Sequence, residues 1–326
     1  MKRRQFLQLT GTTFAAGVIS AYVSRVDAQA RTTGAGPSQP MDAAAFHAAR
    51  RFADLPFGRI AYVERGSGDA ALFLHGAPLN GFQWRGAIDR LSPYRRCIAP
   101  DFMGLGYSQI PEHQSLAASA QVAMLAALLD SLKITKVDII ASDSGTAVAQ
   151  LFVARYPERV RTLLLTNGDV EPDSPPRGVK PVIAMARAGT LADATAKWLT
   201  DHALARSTFG AAVYHDPSHF TDEAIAYYVT PLVSSPLRRA QYHAFHLALE
   251  PNPLAGIEAA LKHSTIPTRV VWGASDAIFS LADANYLDHT FPRSQGIRQV
   301  PEGKLFFQEE FPDVIAAEAR RLWRTA

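Results

Sequence analysis

The apolar residues of this chain fall into short, mostly continuous runs that are separated by longer stretches with helical spacing. Runs without polar alternation are typical of strands that are covered on both faces. Such runs lie at 59–63, 71–74, 96–99, 137–140, 162–165, 269–272 and 296–300. Helical spacing is found at 116–132, 147–156 and 314–323. The alternation predicts an α/β fold, in which a mostly parallel sheet is flanked by helices.

The strand pattern is missing from residues 171–265, where the sequence is helical, rich in aromatic residues and interrupted by prolines. We interpret this segment as a helical cap, or lid, that is inserted into the α/β core. The core then consists of residues 46–170 and 266–326. Small residues, glycines and prolines dominate residues 31–45, which predicts a linker.

The N-terminus has the features of an export signal. Basic residues Lys2–Arg4 precede a weakly apolar run over 6–23, and Ala28 and Ala30 are the small residues of a cleavage point. This order predicts a signal peptide over residues 1–30, cleaved after Ala28 or Ala30. The adjacent arginines resemble the twin-arginine class, which implies the twin-arginine export machinery as a partner and a soluble periplasmic protein after cleavage. A retained membrane anchor is the alternative, although the Thr and Gly in the run suit a spanning helix poorly.

Composition excludes several classes of protein. With 48% hydrophobic and 19% charged residues, the 326-residue chain has the make-up of a globular protein. The single cysteine, Cys97, excludes an internal disulfide framework and a Cys-rich zinc site. The net charge of +3 belongs to residues 1–30, because removing their four basic residues and Asp27 leaves 29 of 33 basic and 29 of 30 acidic residues. No nucleic-acid surface is therefore expected. The sequence also has no phosphate-binding glycine loop and no ligand cluster, so no metal or organic cofactor is expected.

Polar residues follow the ends of several predicted strands, and ligands of an open parallel sheet gather at those ends. One group, at 141–146, opens directly into a predicted helix. A nucleophile on such a strained strand-to-helix turn needs small residues two positions away on either side. Asp143 has Ala141 and Gly145 at those positions, whereas Ser142 and Ser144 have larger neighbours. We therefore assign the nucleophile to Asp143; the alternative is that Asp143 only caps the helix.

Motifs follow the predicted strands at His75–Pro78, Pro100–Ser108, Ala141–Thr146, Gly273–Asp276 and Glu302–Pro312. This set, in this order, resembles the α/β-hydrolase fold family over about residues 50–326. Aspartate at the nucleophile position is similar to the haloalkane dehalogenase and epoxide hydrolase branch. In that branch a carboxylate attacks an sp³ carbon and forms an alkyl-enzyme ester. The resemblance implies that the backbone N–H groups of Ala77 and Ser144 form the anion (oxyanion) hole. It also implies that Asp276 is the acid that orients an imidazole, although Asp276 could be a turn or cap residue. Asp169 and Glu171 follow another strand, at a second place where related enzymes hold this acid, although both could equally be solvated charges at the hinge of the lid.

The chain departs from the family at the catalytic histidine. The place where relatives have this residue, in a segment like that at 303–312, is occupied by Leu305. Because the imidazole activates the water that hydrolyses the ester, its loss predicts that alkylation proceeds and turnover stalls. Ser144 and Ala77 also replace the halide-holding residues of dehalogenases, which argues against that activity. His243 and His246, three residues apart in the cap, are the candidates for a substitute base.

Three functions are consistent with this sequence. The favoured one is a hydrolase that acts through Asp143 on an apolar epoxide, alkyl halide or ester. The alternatives are a cofactor-free lyase or isomerase with Asp143 as general base, and a non-catalytic small-molecule binding protein. The aromatic residues of the cap favour a small apolar or aromatic substrate under all three. These aromatic residues are Trp198, Phe209, Tyr214, Phe220, Tyr227, Tyr228 and Tyr242.

Overall fold

The computed structural model describes residues 41–324. The predicted signal peptide and residues 31–40 of the predicted linker lie outside this range. The predicted end of the linker at residue 45 is wrong, because helix α1, Ala43–Ala48, begins before it. The Asp42 side chain accepts a hydrogen bond from the Ala45 N–H at 2.7 Å, and Phe46 is buried. A capped first turn and a packed aromatic ring thus order this segment.

The described residues form one eight-stranded sheet with the order β1-β2-β4-β3-β5-β6-β7-β8. β2 is antiparallel to β1 and β4, and the other neighbours are parallel, which confirms the predicted α/β class. The strands are β1 Arg50–Leu55, β2 Gly58–Arg65, β3 Ala70–Leu74, β4 Arg96–Pro100, β5 Val137–Asp143, β6 Val160–Gly168, β7 Thr268–Gly273 and β8 Ser294–Val300. The sequence pattern did not predict β1, because this edge strand buries only Ala53 fully.

Helices lie between the strands and after the last one. Those outside the segment between β6 and β7 are α2 Arg85–Leu91, α3 Ala118–Ser131, α4 Ser144–Arg155, α12 Leu281–Thr290, α13 Phe307–Glu310 and α14 Pro312–Trp323. Between β6 and β7 lie α5 Lys180–Arg187, α6 Leu191–Ala196, α7 His202–Ala205, α8 Ala211–Val213, α9 Asp222–Val233, α10 Pro236–Leu247 and α11 Glu258–Leu261. Within residues 41–324, no helix combines the length and the apolar character needed to cross a membrane.

Strands β3 and β5 are the centre of the sheet and are buried along their whole length. The chain order reverses between them, since β4 lies on the far side of β3 and β6 on the far side of β5. Such a reversal opens a crevice at the carboxyl ends of the two strands, which is where ligands bind in open α/β sheets. Leu74 pairs with Ala141 at this end, so the residues that follow β3 lie beside Asp143.

The cap is fastened to the core by a buried carboxylate. The hydroxyl of Tyr214 donates to Glu309 Oε1 at 2.6 Å, and the hydroxyl of Tyr228 donates to Glu309 Oε2 at 3.0 Å. Arg85, from the start of α2, forms an ion pair with the same carboxylate. Glu309 lies in α13. A charge this well buried is tolerated because three donors surround it.

Candidate active site

Asp143 occupies a strained turn between β5 and α4. Its φ of 52° and ψ of −132° lie in a region that non-glycine residues rarely adopt. The glycines around it leave no room for a side chain. A Cβ on Gly145 would lie 2.7 Å from the Leu74 carbonyl oxygen, and one on Gly168 would lie 2.5 Å from the Asp143 carbonyl oxygen. The close packing that suggested the nucleophile position from sequence is therefore present around Asp143.

Backbone N–H groups hold the Asp143 carboxylate. The N–H of Ala77 donates to Asp143 Oδ2 at 2.7 Å, and the N–H of Ser144 also hydrogen-bonds the carboxylate. Gly76 permits this approach, because a Cβ there would lie 2.5 Å from Asp143 Oδ2. Gln83 Oε1 accepts the Gly76 N–H at 2.9 Å and fixes the turn. The two groups predicted as the anion hole thus bind the carboxylate of Asp143 itself.

Two carboxyl groups face one cavity. Asp143 and Asp169 are both buried and both line it. Burial raises the pKa of Asp143 to about 7, although the N–H groups of Ala77 and Ser144 act in the opposite direction. Burial, and then the neighbouring Asp143, raises the pKa of Asp169 to about 7. Ser174 Oγ donates to Asp169 Oδ1 at 2.7 Å.

The cavity has a volume of about 310 Å³ and lies between the sheet edge and the cap helices. Its polar side chains besides the two aspartates are those of Ser144, Thr195, Tyr242 and His246. Apolar residues form the remaining wall: Ala77, Pro78, Pro175, Pro176, Val179, Val182, Met185, Leu191, Ala194, Trp198, Phe209, Ala212, Val213, Leu249, Ile278, Phe279 and Leu305. This composition suits a small apolar or aromatic ligand.

Leu305, at the position where the sequence resemblance implies a catalytic histidine, is buried and lines the cavity. Gln308, in the same segment, lies behind the nucleophile turn. Its Nε2 donates to Ser142 Oγ at 2.9 Å and to Thr166 Oγ1 at 2.6 Å. The segment is therefore well anchored, and it presents an apolar side chain to the cavity.

Asp276 does not line the cavity and orients no imidazole among the described residues. Its Oδ2 accepts from Asn167 Nδ2 at 2.8 Å, and its Oδ1 accepts from the Ile278 N–H at 2.8 Å. Asn167 Oδ1 in turn accepts the Gly273 N–H at 2.7 Å. Burial raises the pKa of Asp276 to about 6. The role predicted for Asp276 is thus replaced by a link between the ends of β6 and β7.

The structure separates the two cap histidines. His246 lines the cavity, and its Nδ1 donates to the Tyr242 carbonyl oxygen at 3.0 Å. Burial lowers the pKa of His246 to about 4, so the ring is neutral. His243 is wrong as a candidate base, because it lies outside the cavity wall and its Nε2 accepts the Ala192 N–H at 2.9 Å. Both residues lie on α10 and are rotated by only about 60° from each other, yet His246 alone of the two reaches the cavity wall.

Of the four cap tyrosines, only Tyr242 lines the cavity. Its hydroxyl lies 3.2 Å from Thr195 Oγ1. Tyr214 and Tyr228 are engaged by Glu309, and the hydroxyl of Tyr227 accepts a hydrogen bond at 2.5 Å from Arg50. Sequence reasoning did not single out Thr195, since a threonine on a cap helix carries no signal of its own. Among residues 41–324, no cluster of three His, Cys, Asp or Glu side chains could hold a metal ion.

The chain belongs to the alpha/beta hydrolase fold family, whose sequence pattern matches residues 70–311. It is 27% identical to haloalkane dehalogenase 2 of Mycobacterium tuberculosis over 271 residues, which cover 82% of this chain and 92% of that protein. A haloalkane dehalogenase of Mesorhizobium japonicum is 44% identical over 102 residues, which are 31% of this chain and only 33% of that protein. The cis-3-alkyl-4-alkyloxetan-2-one decarboxylase of Shewanella oneidensis is 28% identical over 247 residues, which cover 71% of this chain and 74% of that protein.

Solved structures agree with this assignment. The haloalkane dehalogenase DbeA-M1 loop variant from Bradyrhizobium elkanii superposes with a TM-score of 0.68 at 25% identity, covering 84% of this chain and 96% of that one. The epoxide hydrolase CorEH shares the fold, with a TM-score of 0.68 at 22% identity over 84% of this chain and 98% of that one. The predicted resemblance to this branch is confirmed, and these relatives support hydrolase activity.

Proposed function

We propose that the protein is a hydrolase whose Asp143 carboxylate attacks an electrophilic carbon of a small apolar molecule, such as an epoxide, an alkyl halide or an ester. The observation that carries this proposal is the placement of Asp143. Its carboxylate is held by two backbone N–H groups, on a strained turn, at the wall of a mostly apolar cavity. A turn of this kind is costly, and such strain is concentrated at functional sites.

The reaction on an sp³ carbon has two steps, alkylation of Asp143 and hydrolysis of the ester. Asp143 Oδ1 forms a bond to the carbon, and the bond to the leaving oxygen or halide breaks with its electron pair. Water then adds to Cγ of the resulting ester, and the negative charge of this tetrahedral state develops on Oδ2. That oxygen already accepts the Ala77 N–H, so the hole is formed before the charge appears. Collapse breaks the bond between Cγ and Oδ1. The alcohol leaves with Oδ1, and the water oxygen completes the regenerated carboxylate.

A base is needed in the second step, and Leu305 cannot supply it. His246 is the histidine in the cavity wall, and its Nε2 is the nitrogen that is left to accept a proton. Because burial lowers the pKa of His246 to about 4, the ring would be a weak base at neutral pH. With His246 as the base, hydrolysis of the ester is therefore expected to be the slow step.

A lyase or isomerase activity is the second candidate. Burial raises the pKa of Asp143 to about 7, and a carboxylate with that pKa is suited to general base catalysis near neutral pH. The similarity to a decarboxylase of Shewanella oneidensis favours the same class. A non-catalytic binding protein would use the same cavity without any bond to Asp143.

Intact-mass spectrometry after incubation with styrene oxide, 1-bromobutane and p-nitrophenyl butyrate separates these functions. The hydrolase proposal expects one covalent adduct or turnover with the wild type and neither with Asp143→Asn. Asp313→Asn is the matched control, since this exposed carboxylate pairs with Arg90 outside the cavity. Equal adduct formation or turnover by wild type and Asp143→Asn would overturn the proposal, and no reaction with either protein would overturn it and leave the binding-protein alternative. Loss of substrate without an adduct or a hydrolysis product would favour the lyase.

For the N-terminal segment, we propose cleavage of a twin-arginine signal and release of the mature protein into the periplasm. N-terminal sequencing of the protein from a periplasmic fraction tests this, with a first residue of Gln29 or Arg31 expected. A full-length chain that is recovered only from the cytoplasm or the membrane would contradict it.

A further inference from the structure

We propose that Asp169 is the general base of ester hydrolysis, acting on a water molecule that Ser144 Oγ holds in a small side chamber of the cavity. This inference rests on the proposed function, in which Asp143 forms an ester. It supplies the group that the family's missing histidine would have provided.

The chamber adjoins the main cavity and has a volume of about 20 Å³. This volume suffices for one water molecule. Ser144, Asp169 and Leu249 line both the main cavity and the chamber, so the two spaces meet at these residues. The other walls are mainly apolar and come from Leu116, Ala118, Gln121, Ala147, Val148, Phe245, Ala248 and Pro253.

The environment of Ser144 Oγ indicates that the side chamber holds a water molecule. Ser144 Oγ is buried and has no hydrogen-bond partner among the described residues. A buried hydroxyl without a partner costs free energy, and an ordered water is the common way to satisfy it. Gln121 cannot serve instead, because its amide oxygen accepts the Met103 N–H at 3.1 Å and its amide nitrogen donates to the Met103 carbonyl at 3.0 Å.

Asp169 is held in a fixed position relative to the nucleophile. Its neighbour Gly168 pairs with Asp143 across strands β5 and β6. The Asp169 carbonyl oxygen accepts from Gln150 Nε2 at 2.7 Å and from Thr146 Oγ1 at 3.3 Å, both on α4. Thr146 Oγ1 also donates to the Asp143 carbonyl oxygen at 2.7 Å. One hydroxyl thus ties the backbones of the two acidic residues together at the base of α4.

The carboxylate of Asp169 has capacity for a proton. Ser174 Oγ donates to Asp169 Oδ1, whereas no side chain of the described residues donates to Asp169 Oδ2. When water attacks the Asp143 ester, one O–H bond breaks and its proton passes to Asp169, while the water oxygen bonds to Cγ. Asp169 later releases the proton to the departing alkoxide or to solvent. No oxidant, metal or further reactant is needed for this step.

Asp169 is better suited to this task than His246. Burial is the larger cause of the raised pKa of Asp169, which is about 7 while Asp143 is charged, and this cause persists in the ester; burial lowers the pKa of His246 to about 4. A base with a pKa near the working pH is the more effective one. The titratable groups that face Asp169 are Asp143 from β5, Asp173 from the following loop and His246 from α10. Alkylation removes the Asp143 charge, so Asp169 ionises more readily at the moment when a base is required.

The test uses Asp169→Asn and Ser144→Ala beside the wild type, with Asp313→Asn as control and styrene oxide as probe. Stopped reactions are analysed by intact mass and by peptide mapping, and single turnovers are run in H₂¹⁸O. Asp169→Asn is expected to form the Asp143 ester at a rate near that of the wild type. Its ester should then hydrolyse at least about 100-fold more slowly, since general base catalysis contributes about 10²–10⁴-fold. Ser144→Ala keeps the backbone N–H and removes only the hydroxyl, and it should slow hydrolysis by about 10-fold.

In the wild type, ¹⁸O is expected in the Asp143 side chain, because water attacks Cγ. Hydrolysis of the ester by Asp169→Asn at the wild-type rate would overturn the role of Asp169 and leave the nucleophile intact. Failure of a folded Asp169→Asn, checked by circular dichroism, to form the ester would also overturn it. Activity of Asp143→Asn equal to that of the wild type, or no reaction of the wild type with styrene oxide, 1-bromobutane and p-nitrophenyl butyrate, would instead refute the proposed function.

Discussion

The backbone N–H of Ala77 and the Oδ2 of Asp143 are joined by a hydrogen bond of 2.7 Å, although the two residues are 66 positions apart in the chain. This contact exists because β3 and β5 are neighbours in the sheet and because Gly76 has no side chain that would separate them. The bond favours the charged carboxylate, whereas burial favours the neutral form. The balance between these two effects determines how reactive Asp143 is at a given pH.

Alkylation of Asp143 should therefore depend steeply on pH. Only the ionised carboxylate attacks carbon, and the pKa of Asp143 is raised to about 7. We expect the rate of adduct formation to rise from pH 5 to pH 8 and to be roughly 100-fold lower at pH 5 than on the plateau. Quenched-flow mass spectrometry with styrene oxide measures this rate. A rate that is flat above pH 5 would show that the carboxylate is already ionised there.

The same raised pKa has a consequence for folding. In the unfolded chain the pKa of Asp143 returns to about 3.8, so between pH 4 and pH 7 the folded state binds the proton that the unfolded state has lost. The free energy of unfolding should fall as pH rises through this window, by about 3 kcal/mol from pH 5 to pH 8 at 1.4 kcal/mol per pKa unit. Asp143→Asn should remove this part of the slope, and Asp313→Asn should keep it. Urea denaturation at the two pH values checks both.

Much of this site could be predicted from the sequence, because the nucleophile turn between β5 and α4 is a local motif. Small residues at 141 and 145 around Asp143 determine the register, and strand-to-helix order places the turn at the edge of the sheet. Partners from distant segments could not be predicted in this way. The contact of Asp276 with Asn167 depends on how β6 and β7 end. No sequence spacing shows that Asp169, and not Asp276, reaches the cavity.

Gly145→Ala tests the packing of the nucleophile turn between β5 and α4. The added Cβ would lie 2.7 Å from the carbonyl oxygens of Leu74 and His75, and backbone atoms of a central strand cannot move away easily. We expect a loss of about 1–3 kcal/mol in the free energy of unfolding and a strong loss of Asp143 alkylation. Gly178→Ala is the control, since its nearest contacts are at 3.5 Å from Ile278. Equal stability of the two variants would contradict the tight approach of α4 to β3.

Glu309→Gln tests the attachment of the cap. The substitution leaves Arg85 without a charge partner in a buried site and weakens the acceptors of Tyr214 and Tyr228. We expect the free energy of unfolding to fall by about 3–5 kcal/mol, as for other buried pairs that lose one member. Hydrogen exchange should show the largest loss of protection around α8 and α9. Glu302→Gln, whose side chain is exposed, should have no such effect.

Leu305→His places an imidazole at the position where the sequence resemblance implies one. Because Leu305 lines the cavity with Asp143, we expect this variant to hydrolyse the Asp143 ester at least about 10-fold faster than the wild type. Leu305→Met is the control for a change of shape without a base. An unchanged hydrolysis rate would indicate that the anchoring of Asp276 by Asn167 leaves the new imidazole without an orienting acid.

The segment from Leu305 to Glu309 contacts three parts of the molecule within five residues. Leu305 forms cavity wall, Gln308 lies behind the nucleophile turn, and Glu309 holds the cap tyrosines. The cap is consequently not an interchangeable module. A chimera whose new cap has no tyrosines at the places of Tyr214 and Tyr228 would keep a buried Glu309 without these donors. For such a cap, the terminal segment has to be exchanged together with it if the hybrid is to fold.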